Sequence, residues 1–274
     1  MMKWMLFVTM AASAVAQQPN IIQVDYMKAM PGKAADYRKA EDGLKAVHQD
    51  RVKKGQILSW MFYAVRFPAG ASREFDYATV TVYAEMAKLE NSYDAEQRKK
   101  LGDSGVGDLR TLVRSDVLTQ IANAGDMVAP WPWIVVGYIK AKPGMGGDWF
   151  RDEREAWKPI AEAQVKAGSL LGWVSHSVVW PAGTRRPYDF VSVNGRETFA
   201  GKPTPGIEAL TASANNRATQ HGETVRRELW HLLAETAPRS SRTDECAGRF
   251  ISGSTERTCQ AYANLLHRFG VAVK

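Results

Sequence analysis

VDYMKAMPG, at residues 24–32, returns as VGYIKAKPG at residues 136–144, an offset of 112 (136 − 24). Three more stretches recur at the same offset or at one residue more. They are VKKGQILSW at 52–60 with VKAGSLLGW at 165–173, PAGASREFD at 68–76 with PAGTRRPYD at 181–189, and Val113-Arg114 with Val225-Arg226. Matches that stay in register from residue 24 to residue 114 do not arise by chance. The chain is therefore two copies of one unit.

Each unit is predicted to be a split βαβ fold. In the first copy, apolar residues alternate with polar ones at 22–26, which indicates a strand. The remaining predicted elements are a helix at 33–54, strands at 57–67 and 75–83, a helix at 85–101 and a strand at 112–122. The order β-α-β-β-α-β is that of a ferredoxin-like unit, whose second sheet face needs a partner. We expect an α+β protein in which two tandem ferredoxin-like (βαββαβ) units pack sheet to sheet as an intrachain α/β barrel. Repeat 1 is expected at 20–122, a linker at 123–132 and repeat 2 at 133–236.

The Tyr-x-Lys-x-x-Pro-Gly strand end and the Val-Lys-x-Gly-x4-Trp segment resemble those of a known superfamily. The tandem unit, over residues 20–236, is similar to the dimeric α/β barrels. That superfamily includes NIPSNAP-like, antibiotic-monooxygenase-like and EthD-like domains and the haem-binding chlorite dismutases. The two segments also resemble those of exported bacterial proteins of this superfamily. The resemblance implies the fold directly. For function it implies two candidates, a cofactor-independent oxygenase or isomerase and a haem-binding barrel with histidine as axial ligand.

The two ends of the chain are expected to lie outside both copies. Lys3, an apolar stretch at 4–12 and Ala14-Val15-Ala16 before Gln17 are typical of a signal peptide at 1–16. This predicts a periplasmic or secreted chain that starts near Gln17. The C-terminal tail at 237–274 is expected to be poorly ordered or to form a short helix. It holds both cysteines, Cys246 and Cys259, which could pair as a disulfide or stay as free thiols.

Composition excludes several classes of function. The chain is 45% hydrophobic and 24% charged, as in ordinary globular proteins, and carries a net charge of +7. Basic residues are interleaved with acidic ones, so nucleic acid is not an expected partner, nor is a membrane after signal cleavage. The five histidines form no metal-ligand spacing, and the Gly-rich stretch at 144–147 lacks the features of a nucleotide loop. We therefore expect no cofactor and no metal, and a monomer or homodimer.

Six residues are candidates for a cavity or binding site: Glu41, His48, Trp60, Glu153, Trp173 and His176. The two glutamates take equivalent positions on the apolar stripe of the first helix in each copy. Burying a carboxylate there without a partner would be costly, so Arg114 and Arg226 are predicted as their ion-pair partners. Alternatively, a glutamate that lines an open cavity would serve as a base.

The tryptophans and histidines of this set have a structural and a functional interpretation. Trp60 and Trp173 occupy equivalent strand positions, which favours barrel core, although aromatic side chains also suit a planar apolar ligand. His48 and His176 differ from their expected counterparts, Ile160 and Tyr63. Function or drift after duplication explains that asymmetry equally well.

Three functions follow as hypotheses. The first is an exported barrel that binds a small apolar molecule or a protein partner. The second is a cofactor-independent oxygenase or isomerase, and the third is a haem-binding barrel. The sequence carries no catalytic motif, so it leaves open whether the protein is an enzyme.

Overall fold

The computed structural model describes residues 20–70, 73–125, 130–183 and 185–236. The predicted signal peptide and the tail with Cys246 and Cys259 lie outside these ranges. In chain order the elements are β1 (Ile21–Ala29), α1 (Ala34–Gly43), α2 (Lys45–Lys53), β2 (Ser59–Phe67), β3 (Tyr77–Tyr83), α3 (Ala87–Glu90), α4 (Ala95–Asp103), a 3-10 turn (Val106–Leu109), β4 (Arg110–Gly125), β5 (Trp133–Ala141), α5 (Gly146–Asp152), a π-helical turn (Glu153–Trp157), α6 (Lys158–Lys166), β6 (Gly172–Trp180), β7 (Phe190–Arg196), α7 (Glu208–His221) and β8 (Gly222–Thr236).

The eight strands form a closed barrel in the order β1-β3-β2-β8-β5-β7-β6-β4, with every neighbouring pair antiparallel. Each half contributes four adjacent strands, β4-β1-β3-β2 and β8-β5-β7-β6. The halves are joined by two hydrogen-bonded seams, β2–β8 and β4–β6. The predicted α+β class and closed barrel are confirmed. The prediction placed the two sheets face to face. In the structure their edges also pair, so that the eight strands form one continuous sheet.

Alternation along the strands separates an interior core from an outer layer under the helices. Ile22, Val24 and Tyr26 point inward together with the other aromatic and aliphatic residues of the barrel interior. The intervening residues, such as Ile21 and Met27, pack outward against the helices. In the part of the chain that the structure describes, no helix is both long and apolar enough to cross a membrane.

The first long helix of each copy is irregular at the same place. The predicted helix at 33–54 is interrupted at Leu44, between α1 and α2. In the second copy, the π-helical turn at 153–157 separates α5 from α6. A π turn holds one residue more than an α turn, which explains why the repeat offset rises from 112 before it to 113 after it. The counterpart of His48 is therefore Ala161, not Ile160 as the sequence suggested.

The repeated Pro-Ala-Gly-x-x-Arg-x-x-Asp motif ties the β2–β3 connection to the end of β1. Asp76 accepts hydrogen bonds from the Arg73 guanidinium (2.6 Å), Lys28 Nζ (3.3 Å) and the Ala29 N–H (3.1 Å). Arg73 also donates to the Val65 carbonyl (3.0 Å). The second copy repeats all four bonds through Asp189, Arg186, Lys140, Ala141 and Val178. The motif is retained because it fixes a corner of each half.

Strand β4 extends into the predicted linker at 123–132. Strand β4 continues to Gly125, since it pairs with β6 as far as Gly172. Trp131 then inserts into the interior core with 6% of its surface exposed. Its ring lies against the backbone of Gly172 and Gly195, where a Cβ atom would come within 2.3 and 2.2 Å of it. These glycines make room for the tryptophan.

We predict that Gly195→Ala destabilises the protein by about 1–3 kcal/mol, because the added methyl overlaps Trp131. Gly137→Ala is the matched control, since a Cβ in that β5 position meets nothing closer than 3.8 Å. It should leave the free energy of unfolding within about 1 kcal/mol of the wild-type value. Urea unfolding of both variants measures the difference. Equal stability of the two variants would contradict the packing of Trp131.

Candidate functional site

A charged cluster lies inside the barrel where β1 and β5 end and β4 and β8 begin. Tyr26 is paired across strands with Arg114, and Tyr138 is paired with Arg226. Two residues further along β4 and β8 stand Asp116 and Glu228, on the same faces as the arginines. We call these six residues together with Glu74 the arginine cluster. Apart from Glu74, it consists of two equivalent triads at an offset of 112 (138 − 26).

Glu74 connects the two triads. Its Oε1 accepts a hydrogen bond from Arg114 Nη1 (3.2 Å), and its Oε2 accepts one from Arg226 Nη1 (2.6 Å). Each arginine also pairs with the carboxylate of its own strand: Arg114 Nε lies 3.4 Å from Asp116 Oδ1, and Arg226 contacts Glu228. The counterpart of Glu74 in the second copy is Pro187. One carboxylate therefore serves both arginines.

Aromatic rings hold the guanidinium groups from the barrel side. The Arg114 guanidinium lies 4.2 Å from the centre of the Tyr26 ring, and that of Arg226 lies 5.0 Å from the centre of the Phe75 ring. The centres of the Tyr26 and Phe75 rings lie 4.6 Å apart. Cation–π contacts of this kind favour a charged guanidinium in a partly dry site. Both arginine side chains remain partly open to solvent, at 18% and 29%.

The two carboxyl groups below the arginines are almost fully buried, at 1% and 2% exposure. Asp116 accepts a hydrogen bond from the Tyr188 hydroxyl. Glu228 accepts from the Tyr138 hydroxyl and from Trp230 Nε1, both at 2.9 Å. Burial raises the pKa of Asp116 and of Glu228, although these hydrogen bonds and the nearby arginines oppose the rise. Both groups thus hold a proton more readily than exposed carboxyls do.

The arginine cluster combines three chemical properties. It offers two fixed cationic donors near solvent, two buried carboxyls with raised pKa values, and tyrosine hydroxyls bonded to those carboxyls. Such a set can bind an anionic group and can take up or release a proton beside it. No other charged cluster of the described chain is repeated in this way inside the barrel.

The predicted glutamates lie elsewhere. Glu41 and Glu153 are buried in the outer layer, between the first helix of each copy and the sheet, at 5% and 2% exposure. Glu153 Oε1 accepts a hydrogen bond from Trp149 Nε1 (2.9 Å). The predicted pairing with Arg114 and Arg226 is wrong, because those arginines face the barrel interior and pair with Glu74, Asp116 and Glu228.

Burial therefore controls the protonation of both glutamates. It raises the pKa of Glu41, against the opposing effects of Tyr37 and Arg110. It raises the pKa of Glu153 to about 7, against the opposing effects of Trp149 and Ser175. Near neutral pH, Glu153 is poised between its acid and its base form.

The predicted aromatic and histidine residues are divided between two layers. Trp60 and Trp173 lie in the outer layer, not in the barrel interior. His48 stacks on Trp60 with ring centres 4.2 Å apart and accepts a hydrogen bond on Nδ1 from Arg51 (2.9 Å). His176 faces the interior, between Val174 and Val178, with no hydrogen-bond partner for either ring nitrogen among the described residues. The six residues that the sequence predicted for a cavity or binding site therefore do not lie together in one site.

Neither histidine fits the haem that the chlorite-dismutase resemblance implied. An axial ligand needs a ring nitrogen that faces an open slot wide enough for the macrocycle. One face of His48 is covered by Trp60, and because its Nδ1 accepts from Arg51, the neutral ring carries its proton on Nε2. His176 is packed among buried valines. Burial lowers the pKa of His48 to about 3 and that of His176 to about 4. Among the described residues, no group of His, Cys, Asp and Glu side chains is arranged to hold a metal ion.

Comparison with known proteins identifies the fold. No family model and no curated protein matches the sequence. A candidate monooxygenase from Lactobacillus acidophilus NCFM superposes with a TM-score of 0.59 at 6% identity, covering 81% of this chain and 97% of that one. A candidate monooxygenase from Fusobacterium nucleatum gives 0.55 at 11% identity, covering 80% and 94%. A candidate chlorite dismutase gives 0.50 at 12% identity, covering 78% and 95%.

The chain has the fold of the dimeric α+β barrels. At this level of identity the likeness extends to the fold alone, so residue roles come from the geometry of this chain.

Sequence reasoning found part of the arginine cluster. Tyr26, Arg114 and their counterparts are among the repeated identities, but the arginines were paired with Glu41 and Glu153. Asp116 and Glu228 were missed, although Arg-x-Asp and Arg-x-Glu recur at the same offset of 112. A search for chemically similar pairs would have found them. Glu74 has no counterpart, and no sequence signal marks it.

We predict that Glu153→Gln changes the pH dependence of stability. The folded-state pKa of about 7 exceeds the usual value of 4.5, so the wild type loses stability as the pH rises from about 5 to 8. A neutral glutamine removes that loss. The variant should therefore gain roughly 2–3 kcal/mol relative to the wild type between pH 5 and pH 8.

Glu155→Gln, on the same π turn but with an exposed side chain, is the control and should show no such pH-dependent gain. Urea titrations at both pH values supply the comparison. A parallel pH dependence in wild type and Glu153→Gln would exclude a buried, protonated Glu153.

Proposed function

We propose that this protein is a binding protein for a small, largely apolar molecule that carries an anionic group, and that the arginine cluster holds that group. One observation carries the proposal. Two equivalent arginines, fixed by buried carboxylates and aromatic rings, converge on a single carboxylate position at the end of the barrel. In the sequence, a planar apolar ligand near Trp60 and Trp173 was the alternative to barrel core, whereas the contacts of Arg114 and Arg226 support a site at the arginines.

Preorganisation supports binding at this place. The arginines do not have to be ordered by the ligand, because Asp116 and Glu228 hold them from the strand side and the rings of Tyr26 and Phe75 lie beneath them. Binding sites that are ordered in advance lose less conformational entropy on association. Two guanidinium groups also form charge-assisted hydrogen bonds with an oxyanion, which are stronger than neutral ones.

Proton transfer is a second candidate function, and the raised pKa values of Asp116 and Glu228 favour it. A carboxylate with a raised pKa is a better base, and an arginine beside it stabilises the anion that forms when a substrate loses a proton. Cofactor-independent oxygenation or isomerisation of a phenol or enol begins with such a step. The candidate monooxygenases of the same fold are consistent with this function by analogy alone.

We also propose that each half is a ferredoxin-like unit and that the protein is exported as a monomer or homodimer. The strand orders β4-β1-β3-β2 and β8-β5-β7-β6 support the first statement. The signal-like stretch at 1–16 supports the second. Intact-mass measurement of the secreted chain tests it, since retention of Met1 would contradict export by cleavage after Ala16.

We predict that any small acid which stabilises the protein in a thermal-shift screen does so through the arginines. Arg114→Gln and Arg226→Gln should each weaken its binding by at least about tenfold, because each removes one charge-assisted hydrogen-bond donor. Arg154→Gln, an exposed arginine on the π turn, is the control and should bind as the wild type does. Titration calorimetry of each variant measures the affinity. Binding that survives both cluster substitutions would place the site elsewhere.

If the cluster also catalyses proton transfer, Asp116→Asn and Glu228→Gln should lower the rate of substrate deprotonation by about 10²–10⁴-fold while ligand affinity stays within about tenfold. Exchange of substrate hydrogen for deuterium, followed by NMR, gives the rate without requiring oxygen. Glu41→Gln is the control, because Glu41 lies in the outer layer. Unchanged exchange in both cluster variants would leave binding as the function.

A further inference from the structure

We propose that the side chain of Glu74 occupies the position of a ligand carboxylate, and that the natural ligand is an organic monocarboxylate which displaces it. This inference rests on the proposed function and narrows the ligand to one chemical class. Glu74 would then act as a tethered competitor that keeps the two arginines neutralised until the ligand arrives.

The geometry of the contact is that of carboxylate recognition. The two oxygens of Glu74 are divided between the arginines, Oε1 to Arg114 and Oε2 to Arg226. A planar group with two equivalent oxygens satisfies both donors at once. Since the arginines are held by Asp116 and Glu228 as well, they keep their positions when Glu74 leaves.

Glu74 is positioned for exchange with an external anion. Its side chain is 41% exposed, whereas those of Asp116 and Glu228 are buried. Its backbone is fixed on both sides, by the buried ring of Phe75 and by the Arg73–Asp76 ion pair. Displacement thus needs only a rotation of one exposed side chain, with no change in the barrel.

The charge balance also favours a carboxylate over other ligands. Two arginines face three carboxyls, of which the two buried ones have raised pKa values. Exchange of Glu74 for another monocarboxylate leaves the net charge of the cluster unchanged. A neutral ligand would lack the charge-assisted hydrogen bonds that Glu74 makes with both arginines. A dianion would add negative charge beside Asp116 and Glu228.

Asymmetry between the halves supports a specific role for this side chain. The rest of the cluster exists twice, but the counterpart of Glu74 is Pro187, which carries no charge. A second glutamate at that position would compete for the same donors and would add charge. Two equivalent arginines that share one site can accommodate one tethered carboxylate.

The test uses the full chain, with benzoate as the probe and Glu74→Ala as the variant. Removal of the tethered carboxylate should make benzoate bind at least tenfold more tightly than to the wild type, measured by calorimetry. Benzoate should also raise the Tm of the variant more than that of the wild type. Glu74→Gln keeps the size of the side chain and should also bind benzoate more tightly than the wild type does. It replaces Glu74→Ala in the test if that variant folds poorly. Glu85→Ala, an exposed glutamate outside the cluster, should show no gain.

Three outcomes would overturn the proposal. The first is equal benzoate affinity in wild type and both Glu74 variants. The second is a gain that persists when Arg226→Gln is added to Glu74→Ala, since the site would then lie elsewhere. The third is an equal gain for sulfate, because a dianion that binds as well as benzoate contradicts the carboxylate assignment. These three results concern the role of Glu74 alone, whereas a screen in which no small acid binds would count against the proposed function on which this inference rests.

Discussion

Edge pairing between the halves is the constraint on which the rest of this structure depends. A four-stranded antiparallel sheet with helices on one face leaves two open edges and one uncovered apolar face. Duplication within one chain resolves both, because β2 pairs with β8 and β4 pairs with β6, and the two inner faces then share one core. The long strands β4 and β8 supply the seams, which is why the repeat continues into what looked like a linker.

Closure of two equivalent halves also creates a place where equivalent charges meet. Arg114 and Arg226 would repel each other at the end of the barrel if nothing lay between them. The buried carboxyls of Asp116 and Glu228 and the single exposed carboxylate of Glu74 balance them. Because duplication places each residue twice around the same centre, one unrepeated side chain is enough to make the site asymmetric.

The sequence predicted the architecture because the repeat and the alternation of apolar residues are visible without knowing which strands pair. It could not predict the cluster, since whether Arg114 points inward depends on the strand register and on a bulge in the β1–β4 ladder between Tyr26 and Met27. The predicted pairing of the two glutamates with the arginines was wrong for a similar reason. Glu41 and Glu153 are on the predicted helix stripe, but the helices cover the outer sheet face, so the barrel wall separates them from the arginines.

Many of the repeated identities serve the fold and not the candidate site, and the reason is physical. The corner formed by Arg73, Asp76 and Lys28 must be kept in both halves because each half needs the same turn. Positions that make no such contact are free to diverge, as His48 and Ala161 have done. The arginine cluster is the exception, in which buried charges are repeated. Removing any one of them would strand a partner in the interior at a cost of several kcal/mol, so duplication preserves the set while leaving Glu74 as the position at which binding can be adjusted.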